Sequence, residues 1–394
     1  MRAPSPSRVA LVMNYPYEAF VGGEGSYVAA LRRYLSGRGH SVDTLISDVT
    51  RGRSNPIFEL PPDIRETGRI CIRRAGRVGT RRHLAVDPIL FARSCAAMLG
   101  RRRKGEETHG ESERRWLLDV LRKGRYDAVI LMWGAVRYAA QVSQLCGKVL
   151  SLKGFCTDQR IRLGQEPLIE IPGQIIAELA GSPLIGMNNL AEASQLRRLL
   201  PTSRIIHVGM GFAEQPVSPF GTDQRVLFVA ANTGANTRSL AWLLEEVWPK
   251  IACSQPRARL RVAGSIRNGW TKAIPPGVEL LGRVESIDEE YRSAQVVVAP
   301  ITVGTAGVKI KVAEALSFGR PLVSTSVGVD PGDPGQFADA VDVTDDPQLF
   351  ADAVCRLLSD PSLRDLRARQ SHEAFHAHFS GAAAYGALIE HLAL

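Results

Sequence analysis

The sequence of 394 residues lacks the features that mark several classes of protein. No apolar run approaches the ~20 residues that a membrane-spanning helix needs, and residues 9–13 are too short for a signal-peptide core. The six cysteines include no pair at Cys-x-x-Cys spacing, so neither a zinc knuckle nor a thioredoxin-like motif is indicated. We therefore expect a cytoplasmic protein with reduced, mostly buried thiols.

Several catalytic signatures are also missing. The sequence has no Walker-type phosphate loop and no Gly-x-Ser-x-Gly nucleophile turn, which argues against a P-loop enzyme and an α/β-hydrolase. No Asp-x-Asp follows a predicted strand, so a divalent metal that holds a diphosphate is not implied. Aromatic residues make up 6% of the chain, and no nucleic-acid motif is present. We predict no metal, no cofactor and no nucleic-acid partner.

Positive charge is concentrated in the first half. Residues 1–215 contain 32 Lys+Arg and 20 Asp+Glu, a net of +12, and residues 216–394 contain 17 and 20, a net of −3. Within residues 65–104 there are 12 basic and two acidic side chains. This stretch is either a solvated arginine-rich surface or a region that attracts an anionic membrane face or a phosphate-bearing acceptor. The sequence is therefore compatible with two locations, the cytoplasm alone or a peripheral position on the inner membrane face.

Strand-like and helical patterns alternate along the chain, with helices predicted over residues 135–145 and 237–252 and strands over 259–263 and 296–299. The exception is an irregular insertion between about residues 51 and 110. Such alternation predicts α/β architecture with parallel sheets covered by helices on both faces. The Pro- and Ser-containing segment 214–222 has the composition of a linker. We predict one domain over residues 1–215, a second over 222–375, and a helix over 376–394 that crosses back to the first.

The segment 296–327 contains the strongest candidate site. A predicted strand ends at Pro300, a loop of small residues follows, and a helix is expected to begin near Gly307. The unpaired N–H groups of a helix start suit a diphosphate, and Lys309 and Lys311 follow closely. Glu314 lies five residues after Lys309, where a carboxylate can accept two hydrogen bonds from a ribose diol. The alternative is an ordinary amphipathic helix with solvated charges.

A second glycine-rich segment lies between the first strand and the first helix. Its glycines are Gly22, Gly23 and Gly25, which is not the Gly-x-Gly-x-x-Gly spacing of a dinucleotide turn. These residues either bring backbone N–H groups near a phosphate or form a flexible loop before the helix.

These residues together resemble a known family. Residues 311–324 read Lys-Val-Ala-Glu-Ala-Leu-Ser-Phe-Gly-Arg-Pro-Leu-Val-Ser, which is similar to the donor-site signature of glycosyltransferase family four, the "group one" transferases. Residues 226–249, 259–264 and 279–284 resemble preceding strands and helices of the same domain. The resemblance implies a GT-B fold, with two Rossmann-like domains facing a central cleft.

The resemblance also implies an activity. It implies a retaining, metal-independent glycosyltransferase, active in polysaccharide biosynthesis, that moves a sugar from a nucleoside-diphosphate sugar to a glycan, lipid-linked or secondary-metabolite acceptor. Glu314 would hold the ribose, and Gly264 with the Arg283–Val284 backbone would frame the base. The residues implied to lie near the diphosphate are Gly22, Gly23, Gly307, Val308, Lys309 and Lys311.

Two positions depart from the family pattern. Many members carry a second glutamate eight positions before the ribose-binding one, and this chain has Ala306 there. The family histidine has no counterpart in residues 151–160, where Asp158 is the substitute candidate for catalysis. These departures keep two alternatives open: a sugar-nucleotide epimerase of the same fold, and a non-catalytic GT-B partner protein.

Overall fold

The structure is a computed structural model. It describes residues 6–13, 23–47, 57–59, 70–72, 76–77, 84–86, 109–153, 161–165, 170–304, 307, 309–330 and 335–394.

The first half of the chain builds a sheet of eight strands. The strands of this half are Arg8–Met13 (β1), Ser41–Ile46 (β2), Ile57–Glu59 (β3), Ile70–Ile72 (β4), Gly76–Arg77 (β5), Leu84–Val86 (β6), Ala128–Met132 (β7), Val149–Lys153 (β8), Ile161–Arg162 (β9), Ile185–Met187 (β10) and Ile205–His207 (β11). The sheet order is β11-β10-β8-β7-β1-β2-β4-β5. Its strand pairs are parallel, apart from β4 and β5 at one edge.

Helices cover both faces of this sheet. They are Gly23–Gly37 (α1), His109–Gly124 (α2), Ala139–Ser143 (α3), Gly173–Leu179 (α4) and Leu190–Leu199 (α5). Val28 and Leu31 of α1 pack on one face, and Leu117 of α2 packs on the other. Because β1 is covered on both sides, its residues 9–13 are all apolar and fully buried.

Two details of the first half differ from the sequence prediction. The region expected to be irregular contributes β4 and β5 to the main sheet, and Thr44 of β2 pairs with Ile70 of β4. A strand of three residues is too short to show a period, which explains the missed prediction. The helix expected over residues 135–145 begins instead as the 3₁₀ helix Trp133–Tyr138 and continues as α3.

The second half builds a parallel sheet of six strands. These are Arg225–Val229 (β12), Arg259–Ala263 (β13), Val278–Gly282 (β14), Val296–Ala299 (β15), Leu322–Ser324 (β17) and Val341–Val343 (β18), while Val303–Gly304 (β16) lies outside the sheet. The sheet order is β14-β13-β12-β15-β17-β18. The two sheets with their helices confirm the predicted α/β, GT-B-type fold.

The helices of the second half close the chain. They are Gly234–Trp242 (α6), Trp248–Ser254 (α7), Ile287–Ser293 (α8), Ile310–Ser317 (α9), Ser326–Val329 (α10), Pro347–Ser359 (α11), Pro361–His378 (α12) and Gly381–Leu392 (α13). A π-helical turn, Leu243–Val247, interrupts the single helix that was predicted over residues 237–252. It directly precedes Trp248-Pro249, and proline cannot donate the helical hydrogen bond.

The chain passes twice between the two sheets. Residues 208–224 contain no helix or strand, and α13 returns to the core of the first sheet through Ala384, Tyr385 and Leu388. The Tyr385 hydroxyl accepts a hydrogen bond from the Gly211 backbone at 3.0 Å, which joins the two passages. The domain limits at residues 215, 222 and 375 stay a prediction.

Two further sequence predictions meet the described part of the chain. No helix within it is both long enough and apolar enough to cross a membrane. Of the thiols, Cys146, Cys253 and Cys355 are free, but none is buried; the expectation of mostly buried thiols is wrong for these three. Each lies on or beside a surface helix or turn.

Candidate functional site

The carboxyl ends of β13 and β14 meet at one tight edge of the second sheet. The Gly264 N–H donates a hydrogen bond to the Gly282 carbonyl at 2.7 Å. Gly264 has a φ of +115°, and a Cβ added there would lie 2.2 Å from the Ala230 carbonyl oxygen. Both the backbone angle and the space therefore require glycine at this position. Ligands of parallel sheets bind beyond such strand ends.

Arg283 and Val284 follow directly on this edge. Arg283 is exposed, and Val284 is partly buried against the apolar cluster of the second half. The structure thus brings both residues beside Gly264, as the sequence suggested. Their contact with a base stays a prediction.

The loop before α9 differs from the sequence prediction. The helix begins at Ile310 and not near Gly307, and Lys309 occupies the N-cap with extended backbone angles. The Gly307 N–H, which was expected to be unpaired, donates to Asp330 Oδ1 at 3.1 Å. Gly307 itself has a φ of +90°. The chain therefore turns at Gly307 before the helix starts, and the side chain of Asp330 fixes that turn.

Two lysines lie side by side at the start of α9. The Lys309 ammonium donates to the Gly307 carbonyl. The Lys311 ammonium donates to Asn236 Oδ1 at 3.4 Å and lies 5.0 Å from the centre of the Phe228 ring. Burial lowers the pKa of Lys309 to about 8, against the opposing effect of Asp330. Burial and the neighbouring Lys309 lower the pKa of Lys311 to about 7, although Glu314 opposes this. Two partly buried lysines with lowered pKa values favour an anionic ligand.

Glu314 is held by a tyrosine that sequence reasoning missed. The Tyr291 hydroxyl donates to Glu314 Oε2 at 2.7 Å. The Tyr291 ring is fully buried and stacks on Phe318, with ring centres 5.0 Å apart. Burial raises the pKa of Glu314, while the bond from Tyr291 and the charge of Lys311 work in the opposite direction. No sequence signal links Tyr291 to Glu314, because the pair forms only when α8 packs beside α9.

A segment of the first half joins this loop across the cleft. β9 pairs with β16 in antiparallel fashion, Ile161 opposite Gly304 and Arg162 opposite Val303. Ile161 is 4% exposed and belongs to the apolar core of the second half. The Leu163 N–H donates to the Thr302 carbonyl at 3.1 Å. The first half therefore reaches the loop that precedes Gly307, a contact that two-residue strands do not reveal in sequence.

A cavity of about 180 Å³ lies between the two halves beside this loop. Its lining includes Asn188, His207 and Met210 of the first half, and Lys309, Asp330 and His378 of the second. Burial lowers the pKa of both His207 and His378, which favours neutral imidazoles. His207 is the last residue of β11. Its place at the end of a parallel strand was the sequence signal that could have indicated it.

Several predicted site residues lie outside the described residues. These are Gly22, Ala306, Val308 and the candidate catalytic Asp158. Gly23 is described as the first residue of α1. The structure thus brings Gly307, Lys309, Lys311 and Glu314 together, and the roles of all these residues stay predictions.

Comparisons with known proteins agree with this architecture. Residues 223–360 match the family model of the glycosyl transferases group 1. No curated protein matches the chain by sequence. Among solved structures, sucrose-phosphate synthase from Thermosynechococcus elongatus is similar with a TM-score of 0.63 and 17% identity, covering 98% of this chain and 99% of that one.

Two other similar structures widen the comparison. TarM from S. aureus, in a complex that includes UDP, has a TM-score of 0.64 and 10% identity, covering 98% of this chain and 99% of that one. WaaG, a glycosyltransferase involved in lipopolysaccharide biosynthesis, has a TM-score of 0.55 and 12% identity, covering 97% and 99%. At these identities the likeness shows the fold.

The two sheets and the cleft between them define a GT-B fold. Its second half carries the match to the glycosyl transferases group 1, over residues 223–360, which is the family that the sequence signature resembles.

Proposed function

We propose that the protein transfers a sugar from a nucleoside-diphosphate sugar to a glycan or lipid-linked acceptor, with retention of configuration and without a catalytic metal. The observation that carries this proposal is the group formed by Lys309, Lys311 and Glu314 at the start of α9. Two partly charged lysines suit a diphosphate, and a partly buried carboxylate that Tyr291 orients suits a ribose diol.

In this proposal the ribose, the diphosphate and the base of the donor lie along the start of α9 and the carboxyl ends of β13 and β14. The ribose lies against Glu314, whose Oε2 is held by Tyr291 so that the carboxylate keeps one orientation. The diphosphate lies near Lys309 and Lys311, and Gly22, Gly23, Gly307 and Val308 border it. The base lies between Gly264 and the Arg283–Val284 backbone. UDP is the first nucleotide to test, because the TarM complex contains it.

The chemistry follows from the charge of the leaving group. When the bond between sugar and diphosphate breaks, negative charge grows on the diphosphate oxygens. Lys309 and Lys311 become fully protonated beside that charge and stabilise it, as preorganised positive groups do in other transferases. No Asp-x-Asp motif is available at a strand end to hold a metal there, so the lysines supply the positive charge.

The acceptor binds on the side of the first half. The cavity between the halves presents Asn188 and His207 toward Lys309, and polar groups of this kind recognise sugar hydroxyls. Asp158 is the candidate catalytic residue. It lies three positions in sequence before Ile161, the first residue of β9, which pairs with β16 in the loop before α9. WaaG acts in lipopolysaccharide biosynthesis, which supports a glycan or lipid-linked acceptor here.

The test is a transfer assay with purified protein. Nucleoside-diphosphate sugars are supplied with and without glycan acceptors, and the products are resolved by NMR. We expect release of the nucleoside diphosphate, retention at the anomeric carbon and the same turnover with and without added Mg²⁺. An isomerised sugar nucleotide without any acceptor would indicate an epimerase instead. Binding of the donor without turnover on any acceptor would indicate a non-catalytic partner.

The basic first half supports a second, separate proposal, a peripheral membrane position. Its excess of 12 positive charges predicts binding to vesicles that contain anionic lipid, and that binding should weaken steeply with salt. Vesicle sedimentation measures it. Equal binding to neutral vesicles would contradict the proposal.

A further inference from the structure

Three potential metal ligands converge where the chain passes between the two halves. Glu214 lies in the segment 208–224, and His372 and His376 lie on α12. Their ligand atoms all lie within 4.8 Å of one another. Neither the proposed transfer reaction nor the donor site uses any of them.

The two histidines belong to a motif that was missed in the sequence. Residues 372–376 read His-Glu-Ala-Phe-His, the His-Glu-x-x-His pattern that binds zinc when it lies on a helix. The pattern by itself is a weak signal. It gains meaning where both histidines share one helix face and a third ligand faces them. α12 supplies the first condition through the spacing of four residues, and Glu214 supplies the second.

Two of the three separations between ligand atoms fit a tetrahedral ion, and the third, between the two histidines, lies within 4.8 Å. Glu214 Oε1 lies 3.5 Å from His372 Nε2 and 3.3 Å from His376 Nε2. Zinc bonds of about 2.0–2.2 Å at tetrahedral angles separate neighbouring ligand atoms by about 3.4 Å. Ordinary hydrogen bonds between nitrogen and oxygen are shorter, with a mode of about 2.9–3.0 Å. We propose that Glu214, His372 and His376 form a zinc-type metal site that links the segment between the halves to α12.

The local packing fixes the direction of the ligands. Phe375, between the two histidines, is fully buried in the core of the second half. Nε2 is the nitrogen of His372 that faces Glu214, at 3.5 Å from Oε1, while the buried Nδ1 has no hydrogen-bond partner among the described residues. The side chains of Glu214 and His376 are 58% and 48% exposed, which allows an ion to enter and leaves room for water as the fourth ligand.

The position suggests what the ion does. The Phe212 N–H donates to the Phe379 carbonyl at 2.8 Å, and the two rings pack edge to face. Glu214 follows the first of these residues closely, and His376 precedes the second. An ion at the site would therefore fasten the two passages between the halves to each other. His378, two residues after His376, lines the cavity, so the ion would restrict movement of the halves beside the cleft.

The test uses the full chain, from which bound metal is first stripped with a chelator; the chelator is then removed by dialysis. Co²⁺ is titrated in as a spectroscopic probe, and Zn²⁺ is used to compete it off. We expect one saturable site per chain with visible absorption typical of tetrahedral cobalt, and a higher Tm with Zn²⁺. The His372→Ala/His376→Ala variant should bind more weakly by more than the ~10–100-fold that loss of an outer-shell partner costs.

Matched variants control for folding and for other ligands. Glu373→Gln alters the exposed residue next to His372 on the same helix and should keep the affinity. His376→Gln alters a half-exposed side chain, so it keeps the measurement possible if the double variant does not fold. Unchanged affinity in the histidine variants, thiolate-type near-ultraviolet absorption from the cysteines, or no saturable site would overturn the proposal. Each of these readouts is independent of donor binding and sugar transfer.

Discussion

Both sheets consist mainly of parallel strands, but the connections that follow the carboxyl ends of the strands differ between the two halves. In the second half, β13 and β14 turn at single glycines, and the Gly264–Gly282 bond joins them. In the first half, nine residues separate the end of β1 at Met13 from the start of α1 at Gly23, and seven separate the end of β8 at Lys153 from the start of β9 at Ile161. Short glycine turns place backbone groups by local bonding, whereas long connections offer surface that can vary. We expect the second half to bind the constant donor and the first half to select the acceptor.

The largest expected effect is the loss of the ribose contact in the second half. Glu314→Ala removes two charge-assisted hydrogen bonds to the donor, each worth about 1.5–3 kcal/mol, so donor affinity should fall about a hundredfold or more. Calorimetric titration of the nucleotide measures the loss. Glu289→Ala, an exposed glutamate on α8, is the control and should leave the affinity unchanged. Near-normal turnover of Glu314→Ala would remove Glu314 from the site.

A smaller effect concerns the charge of the two lysines. Their pKa values of about 7 for Lys311 and about 8 for Lys309 leave both partly neutral in the free protein above those pH values. A bound diphosphate favours the charged forms, so binding takes up protons. The affinity for the nucleoside diphosphate is therefore highest below about pH 7. It falls as pH rises, by up to about tenfold per pH unit for each proton taken up.

The pH dependence is measured by calorimetry in buffers of different ionisation enthalpy. Lys311→Met keeps the apolar stem and removes the charge, so it should weaken binding at pH 7 and flatten the profile. A pH-independent affinity in the wild-type protein would show that the lysines do not contact the diphosphate.

The contact between the halves predicts a third effect. Ile161→Ala leaves a cavity in the core of the second half. Truncation of a fully buried side chain of this size lowers stability by about 2–5 kcal/mol. The loss of stability falls on the pairing of β9 with β16, since Ile161 packs into the second half only when these strands pair. We expect turnover to fall about tenfold while donor affinity changes less than about threefold.

Separate measurements of kcat and donor Kd distinguish the outcomes for Ile161→Ala. Val217→Ala, at a side chain that is 74% exposed, is the control. If donor affinity fell as much as turnover, the segment of the first half would belong to the donor site itself, and the contrast between the halves would be wrong.

The smallest expected effect is at the tyrosine behind Glu314. Tyr291→Phe keeps the ring stacked on Phe318 and removes the hydroxyl that donates to Glu314. One hydrogen bond of about 0.5–1.5 kcal/mol corresponds to a loss of roughly three- to tenfold in donor affinity. The loss should vanish when Tyr291→Phe is combined with Glu314→Ala. Additive losses in the double variant would show that Tyr291 acts independently.

The sequence predicted the second half better than the first. Strands 259–263 and 296–299 have the predicted limits, because buried parallel strands are continuous apolar runs that end at glycine or proline. β4 was missed because its three residues show no period and pair with residues far along the chain. The start of α9 was misplaced by three residues, because Asp330 captures the Gly307 N–H and delays the helix.

The candidate site was only partly predictable for the same reason. Lys309, Lys311 and Glu314 are close in sequence, and their spacing on one turn of chain indicated a shared role. Tyr291, Asp330 and His207 reach the site from other elements. For Tyr291 and Asp330 such tertiary contacts leave no mark in a single sequence, whereas His207 could have been indicated by its place at the end of a strand. The His-x-x-x-His spacing on α12 was visible, but its third ligand, Glu214, is distant along the chain.

The central claim is that the second half holds a nucleoside diphosphate at α9, and a thermal-shift panel tests it most directly. Nucleoside diphosphates are added to wild-type protein and to Glu314→Ala, because a ligand that binds the folded state raises Tm. The account predicts a rise in Tm of the wild type with one nucleoside diphosphate, smaller with the monophosphate and abolished in Glu314→Ala. An equal rise in both proteins, or none with any nucleotide, would contradict it.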